Sequence, residues 1–222
     1  MSIDITYIKT DDLHFDPRNP RLAEFNIDES SKDDQILKLL WETMAIDEIV
    51  LSIISSGFFE HEPLMIVEET IKRVKKNVVI EGNRRLAAVK SILNPKVLEA
   101  LPKYSLLLKV EPEVKSKLHK LPVIKLSSRR EAWKFIGFKH INGPAKWGSF
   151  AKAQYIAQIH KEFRIALDDI AIQLGDTNKT VQKLYQGLRL IEQAEQNRVF
   201  DREDIKGNLS ASPKSGPMVT GV

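Results

Sequence analysis

The stretch Val79-Ile80-Glu81-Gly82-Asn83-Arg84-Arg85-Leu86-Ala87-Ala88 decides how the rest of the chain is read. β-Branched Val78, Val79 and Ile80 have the composition of a buried strand. Gly82 interrupts it, and residues 83–93 then read as a helix that stops before Pro95. A strand that turns through glycine into a helix leaves the first-turn amides without acceptors, at the positive end of the helix dipole. Glycine also lets a ligand approach the backbone closely, so such a turn favours an anion. Arg84 and Arg85 add two permanent, planar cations suited to phosphate oxygens. Two cations at a helix N-terminus repel its dipole. A bound anion would relieve that cost, and so would pairing with Glu81 or another local carboxylate. Both readings are open at this point.

Upstream, residues 3–8 alternate apolar and polar side chains like a half-buried strand. Phe15-Asp16-Pro17-Arg18-Asn19-Pro20-Arg21 carries two prolines in four residues, which force an extended turn. Apolar residues at helical spacing predict helices over 33–44 and 46–56, with Gly57 as the stop. Residues 63–67 and 77–81 read as two strands, with the charged Glu68–Lys76 between them as a hairpin turn. Pro95, Pro102 and Pro112 make 94–120 look irregular or inserted, and Leu121-Pro122-Val123-Ile124-Lys125-Leu126 is a last short strand.

From about Ser128 the periodicity is helical throughout. Leu167 to Leu184 has the form of a helix-turn-helix: Ile170, Ala171 and Leu174 face inward, Gly175 turns, and a second helix begins near Asn178. That second helix runs to Leu190 without an acidic residue. Thr177, Asn178, Lys179, Thr180, Gln182 and Lys183 are the side chains able to reach phosphates or base edges of double-stranded DNA. Asp168, Asp169 and Asp176 speak against DNA contact, and a helix-turn-helix also serves as a plain packing unit. Trp133, Phe135, Phe138, Trp147, Phe150 and Tyr155 could stack on bases, but their spacing fits core packing better. Residues 207–222 are small and polar, the composition of a disordered tail or of the stub of a longer chain.

Composition narrows the classes of chemistry. There is no cysteine, which excludes disulfides, thiolate metal sites and cysteine nucleophiles and suits a reducing, cytoplasmic setting. No apolar run approaches the roughly 20 residues of a membrane helix, and the five His show no metal-ligand spacing. The net charge of +4 hides an asymmetry, because residues 1–60 hold 13 acids against 5 bases and the rest is strongly basic. A basic body suits polyanionic partners, though many soluble proteins are as basic.

Taken in order, these motifs resemble the ParB-like family, whose glycine-acid-Arg-Arg box follows an Asn/Gln-Pro-Arg turn and a helix ending in glycine before a Pro-initiated strand. Here those are Asn19-Pro20-Arg21, the helix ending at Gly57, Pro63-Leu64-Met65-Ile66-Val67, the box, and then Leu121-Pro122-Val123-Ile124. The resemblance covers about 5–126, apart from the extra stretch near 94–120. It implies an α+β fold: a small mixed β-sheet domain of the ParB/sulfiredoxin type at 1–127, followed by an all-helical, helix-turn-helix DNA-binding domain at 128–206. It also implies a nucleotide site for CTP or ATP, with magnesium, in a homodimer that binding rearranges like a clamp. Carried over residue by residue, Arg21, Gly82, Arg84 and Arg85 match the family's phosphate-binding positions. Asn83, counted with them as a nucleotide-binding candidate, stands where the family has a glutamate linked to hydrolysis, so binding is expected without efficient hydrolysis. Sulfiredoxin activity is excluded by the lack of cysteine.

A second family motif places an acid and an asparagine on a helix that reaches the phosphates. The matching segment is His140-Ile141-Asn142-Gly143-Pro144-Ala145-Lys146, in which Asn142 matches, Ile141 replaces the acid and Lys146 lies one position beyond the expected arginine. This segment either closes over phosphates from the far side or is a plain loop. Two rivals to a DNA-binding protein stand beside it. One is a ParB-like phosphotransferase or nuclease, with Glu81 or Glu60 as the nearest acids. The other is an adaptor whose arginines are paired internally.

Overall fold

The computed structural model describes residues 4–25, 27–101, 103–142 and 147–199. Five strands form one mixed sheet: β1 (Ile5–Lys9), β2 (Leu13–Phe15), β3 (Leu64–Ile71), β4 (Val74–Glu81) and β5 (Lys120–Leu126). Their order across the sheet is β1-β5-β3-β4-β2. β1 pairs with β5 and β3 with β4 antiparallel, whereas β5/β3 and β4/β2 are parallel.

Helices cover both faces. Between β2 and β3 lie α1 (Asp33–Thr43) and α2 (Ile46–Ser56), and α3 (Asn83–Leu93) leaves the end of β4. Short helices α4 (Tyr104–Leu108) and α5 (Pro112–Lys117) precede β5. The chain then continues as α6 (Arg129–Gly137), a π-helical turn (Phe138–Asn142), α7 (Ser149–Phe163), α8 (Leu167–Leu174) and α9 (Thr180–Gln196).

Because successive strand residues face opposite sides, two cores follow directly from the central strands. Leu64, Ile66 and Val79 join Leu13, Phe15, Leu121 and Val123 in a core with α1, α2 and α3. Val67, Val78 and Ile80 point the other way, into a second core with Trp133, Ile136, Tyr155, Ile170 and Leu174. A sheet buried on both faces reads as continuous apolar runs, which is why 64–67 and 78–80 are apolar without alternation. The second core therefore spans both the sheet and the helical segment that follows it.

Three expectations change. The charged Glu68–Lys76 is not a long turn. Both strands continue through it, and only Lys72 and Arg73 turn, with φ of 50° and 67°. That is the type I′ geometry that suits strand twist, here adopted by residues other than Asn-Gly at some backbone cost. Glu68 takes Lys75 and Lys125 as partners at 3.0 and 3.3 Å, so the charges are cross-strand pairs on an exposed face. Residues 94–120 are not a detached insertion, since Leu98, Leu107, Val110 and Leu118 are buried in the first core. Finally, β2 pairs Phe15 with Val79 in parallel, although three residues gave too short a pattern to read as a strand. The expected tail at 207–222 lies outside the described residues.

Candidate anion-binding site

Where β4 ends, Gly82 turns the chain with φ 99° into α3. A Cβ there would lie 2.5 Å from Leu64 Cδ2 and 3.0 Å from the Arg85 guanidinium, so glycine is required by space as well as by φ. Beside it opens a cavity of about 460 Å³. Arg21, Gly82, Asn83, Arg84 and Arg85 all line it, and so do Lys139 and His140 from the π-helical turn. Four permanent cations thus face two carboxylates, Glu81 and Glu62, and Leu40, Met44 and Ile49 supply an apolar wall. Residues from five separate parts of the chain converge on this cavity.

The arginines have different local duties. Arg84 donates from Nε to the Met44 carbonyl at 2.8 Å and from its terminal nitrogen to the Ala45 carbonyl at 3.2 Å. Ala45 sits at φ 47° between α1 and α2, so Arg84 ties down a strained helix junction. Arg85 donates to the Glu62 carbonyl and lies 3.6 Å from the Glu62 carboxylate. Arg21 is different. Its backbone amide takes the Asn19 side chain at 3.0 Å, but among the described residues its guanidinium makes no hydrogen bond or ion pair. Burial weakens its hold on its proton, the Arg84 charge adds to that effect, and Glu81 opposes it.

Asn83 lines the cavity, yet both ends of its amide are engaged elsewhere. Its oxygen accepts from the Asp16 amide at 3.1 Å and its nitrogen donates to the Val79 carbonyl at 2.6 Å. It brackets β4, α3 and the 16–21 turn together, a structural duty rather than an open ligand contact.

Glu81 is the buried acid of the site. Oε1 accepts from Lys139 Nζ at 2.8 Å and Oε2 lies 2.7 Å from His140 Nε2. Burial pushes its carboxyl up, but the hydrogen bond and charge of His140 together with Lys139 outweigh that and hold it at about 2. His140 stacks on Trp147 at 4.3 Å with the rings nearly parallel, and Trp147 meets Tyr155 edge-on at 5.1 Å. Burial raises the Tyr155 hydroxyl pKa, and that hydroxyl donates to the Trp133 carbonyl at 3.1 Å. These aromatics are core, not an exposed platform, although Phe135 and Phe138 are half-exposed. Asn142 ends the π-helical turn by its backbone, and Lys146 lies outside the described residues.

Sequence reasoning missed Lys139. No local pattern marks it, because its place in the cavity is set by how α6 packs across the sheet. A neighbouring cluster is built differently. Arg129 makes paired bonds of 2.7 Å to both oxygens of Asp16 and bonds of 2.6 and 3.0 Å to Glu69. These two carboxylates outweigh the burial of Arg129 and raise its pKa.

Further along, Gly175 ends α8 with φ 68°, a helix stop of the αL type, and five residues link it to α9. α9 begins at Thr180, two residues later than the sequence suggested. Asp176 caps it, accepting from the amides of Asn178 at 3.1 Å and Val181 at 2.7 Å. Its charge therefore serves the helix end, where burial alone would raise its carboxyl and the backbone hydrogen bonds lower it. Thr177, Asn178, Lys179 and Lys183 are exposed, and Thr180 and Gln182 are partly covered. Gln182 already donates to Asp168 at 2.8 Å.

No family model and no curated protein matches the chain. Solved structures do. The C-terminally truncated chromosome-partitioning protein ParB from Caulobacter crescentus, complexed with CTP-gamma-S, is 14% identical, with 94% of this chain and 88% of that chain covered and a TM-score of 0.35. ParB from the same organism complexed to the centromeric parS site is 10% identical, with 81% and 69% covered and a TM-score of 0.38. These are distant likenesses, and the reading of the cavity rests on its own residues.

Proposed function

We propose that this chain is a ParB-like DNA-binding protein that takes a nucleoside triphosphate, CTP or ATP, into the cavity at Gly82 and uses that binding to change how it dimerises or grips double-stranded DNA. The observation that carries the reading is convergence. Arg21 from the Asn-Pro-Arg turn and Arg84 and Arg85 from the box, distant in sequence, line one cavity of about 460 Å³ with cations in excess of carboxylates. Arg21 is the best phosphate ligand of the three, because its guanidinium has no other hydrogen-bond duty among the described residues. The apolar wall of Leu40, Met44 and Ile49 suits the flat face of a base.

Magnesium fits only as a companion of the phosphates. Among the described residues no three His, Asp or Glu side chains cluster as metal ligands, and both oxygens of Glu81 are engaged. DNA contact is assigned to the turn and start of α9, where Thr177, Asn178, Lys179 and Lys183 are exposed. The division into a nucleotide-binding unit at 1–127 and a DNA-binding unit at 128–206 is part of the same proposal. A catalytic reading has less support. Glu81 is held ionised with both oxygens occupied, and Glu60 accepts from the Tyr7 hydroxyl at 3.0 Å outside the cavity lining.

The test is equilibrium binding of CTP, ATP and GTP, with and without magnesium, followed by duplex DNA binding in the presence of whichever nucleotide binds. Saturable binding by wild type that Arg21→Ala abolishes, together with a nucleotide-dependent change in DNA affinity, is the expected result. Failure of wild type to bind any of the three would end the reading.

A further inference from the structure

Glu81 is surrounded by the groups a phosphate would seek. Lys139 Nζ and His140 Nε2 occupy its two oxygens at 2.8 and 2.7 Å. Its charge also opposes the effect of burial on Arg21 and Arg85. Glu62, the other carboxylate of the cavity, belongs to the exposed rim, with 58% of its side chain accessible. A carboxylate accepting through both oxygens has the charge and acceptor geometry of one edge of a phosphate group.

We propose that Glu81 is a resident counter-anion, which holds the cavity's cations until a ligand phosphate takes Lys139 and His140 from it. The inference rests on the phosphate-site reading and names how that site is regulated.

The consequence for the rest of the molecule follows from where Lys139 and His140 sit. They belong to the π-helical turn Phe138–Asn142, a kind of helical irregularity frequent at functional sites. The residue before it is Gly137, and a Cβ at that position would lie 2.7 Å from Leu174 Cδ2. α8 therefore rests directly on the helix end that the Glu81 contacts fix in place. On the other side, His140 stacks on Trp147, just ahead of α7. When phosphate replaces Glu81, the turn is released from β4 and re-bonded to the ligand, and the shift passes to α8 through the Gly137–Leu174 contact. Glu81 is left with the charges of Arg21 and Arg85.

The experiment compares wild type and Glu81→Gln for binding of inorganic tripolyphosphate, first without and then with magnesium, in the full chain. Removing a like charge from a shielded site is expected to tighten binding about tenfold. Equal or weaker binding by Glu81→Gln overturns the inference while leaving the phosphate site standing. Loss of binding in Glu81→Gln that appears only with magnesium present overturns it too, in favour of Glu81 as a metal ligand. Absence of tripolyphosphate and nucleotide binding in both proteins removes the phosphate site and the inference together. Should Glu81→Gln fail to fold, Glu81→Gln/Lys139→Gln replaces the buried ion pair by a neutral one. Its affinity is expected to stay within about threefold of wild type, because one competitor and one ligand are lost together. A tenfold fall would mean that Glu81 merely positions Lys139, contrary to the proposal.

Discussion

Two arginine–carboxylate clusters lie along the seam between the sheet and the C-terminal helices, and they differ in charge balance and in space. In the first, Arg129 bridges Asp16 and Glu69 with bonds of 2.6–3.0 Å, one cation between two acids, and the adjoining cavity is only about 30 Å³. In the second, four cations share two acids around about 460 Å³. The lesson is that buried arginine does not by itself mark a binding site. Matched charge without room locks two parts of the fold together, whereas surplus cation beside open volume leaves a demand for an anion.

The largest effect that could break this contrast comes from Arg129. Arg129→Ala is expected to lower unfolding free energy by about 3–5 kcal/mol in urea denaturation, because it strands the buried carboxylate of Asp16 and the partly buried one of Glu69. Loss of less than about 1 kcal/mol would put the first cluster among ordinary surface pairs. At the cavity floor, Gly82→Ala forces a methyl group against Leu64 and requires φ 99° of a residue with a Cβ. A drop of about 1–3 kcal/mol in stability is expected, with loss of tripolyphosphate binding, measured by thermal melts and calorimetry.

The box arginines sharpen the contrast within the cavity itself. Arg84→Ala is expected to cost about 1–2 kcal/mol of stability as well as affinity, since the Met44 and Ala45 carbonyls lose their donor. Arg21→Ala is expected to abolish saturable nucleotide binding while stability stays within about 0.5 kcal/mol. Equal stability losses in the two variants would erase the distinction between a tethering arginine and a ligand-binding one.

Glu81 carries a signature in pH. Its carboxyl is held at about 2 against an ordinary 4.5. A depressed folded value stabilises the fold above the unfolded value, and that contribution is lost as pH falls through the interval from 4.5 to 2. Urea midpoints measured across that interval are expected to fall less steeply in Glu81→Gln than in wild type. The smallest effect belongs to DNA contact. Lys183→Ala is expected to reduce the slope of log K against log salt by about 0.9, the value of one phosphate contact. An unchanged slope would move the contact elsewhere on α9.

Much of this was legible in the sequence because it depended on local chemistry. The turn at Gly82 is dictated by the strand composition before it and by the glycine's φ. The stop of α8 follows from Gly175, whereas Asp176, read as an acid that speaks against DNA contact, turned out to cap α9. What escaped was set by tertiary packing. Lys139 carries no local mark, and Asn83 looked like a ligand residue until its amide was found to bracket Asp16 and Val79. The prolines of 94–120 suggested irregularity, yet Pro95 and Pro112 stand at the first positions of short helical turns, where a missing amide costs nothing. In the hairpin, Glu68 and Lys75 looked like turn residues because charge favours loops, and only their cross-strand pairing reveals them as strand.

The most direct measurement is a calorimetric titration of CTP into wild type and Arg21→Ala at low salt, with the melting temperature of each recorded beforehand. The expected result is one saturable site per chain in wild type and none in Arg21→Ala, with unchanged melting temperatures. Equal heats in both proteins, or none in wild type, would contradict the assignment of the cavity as a phosphate site built around Arg21.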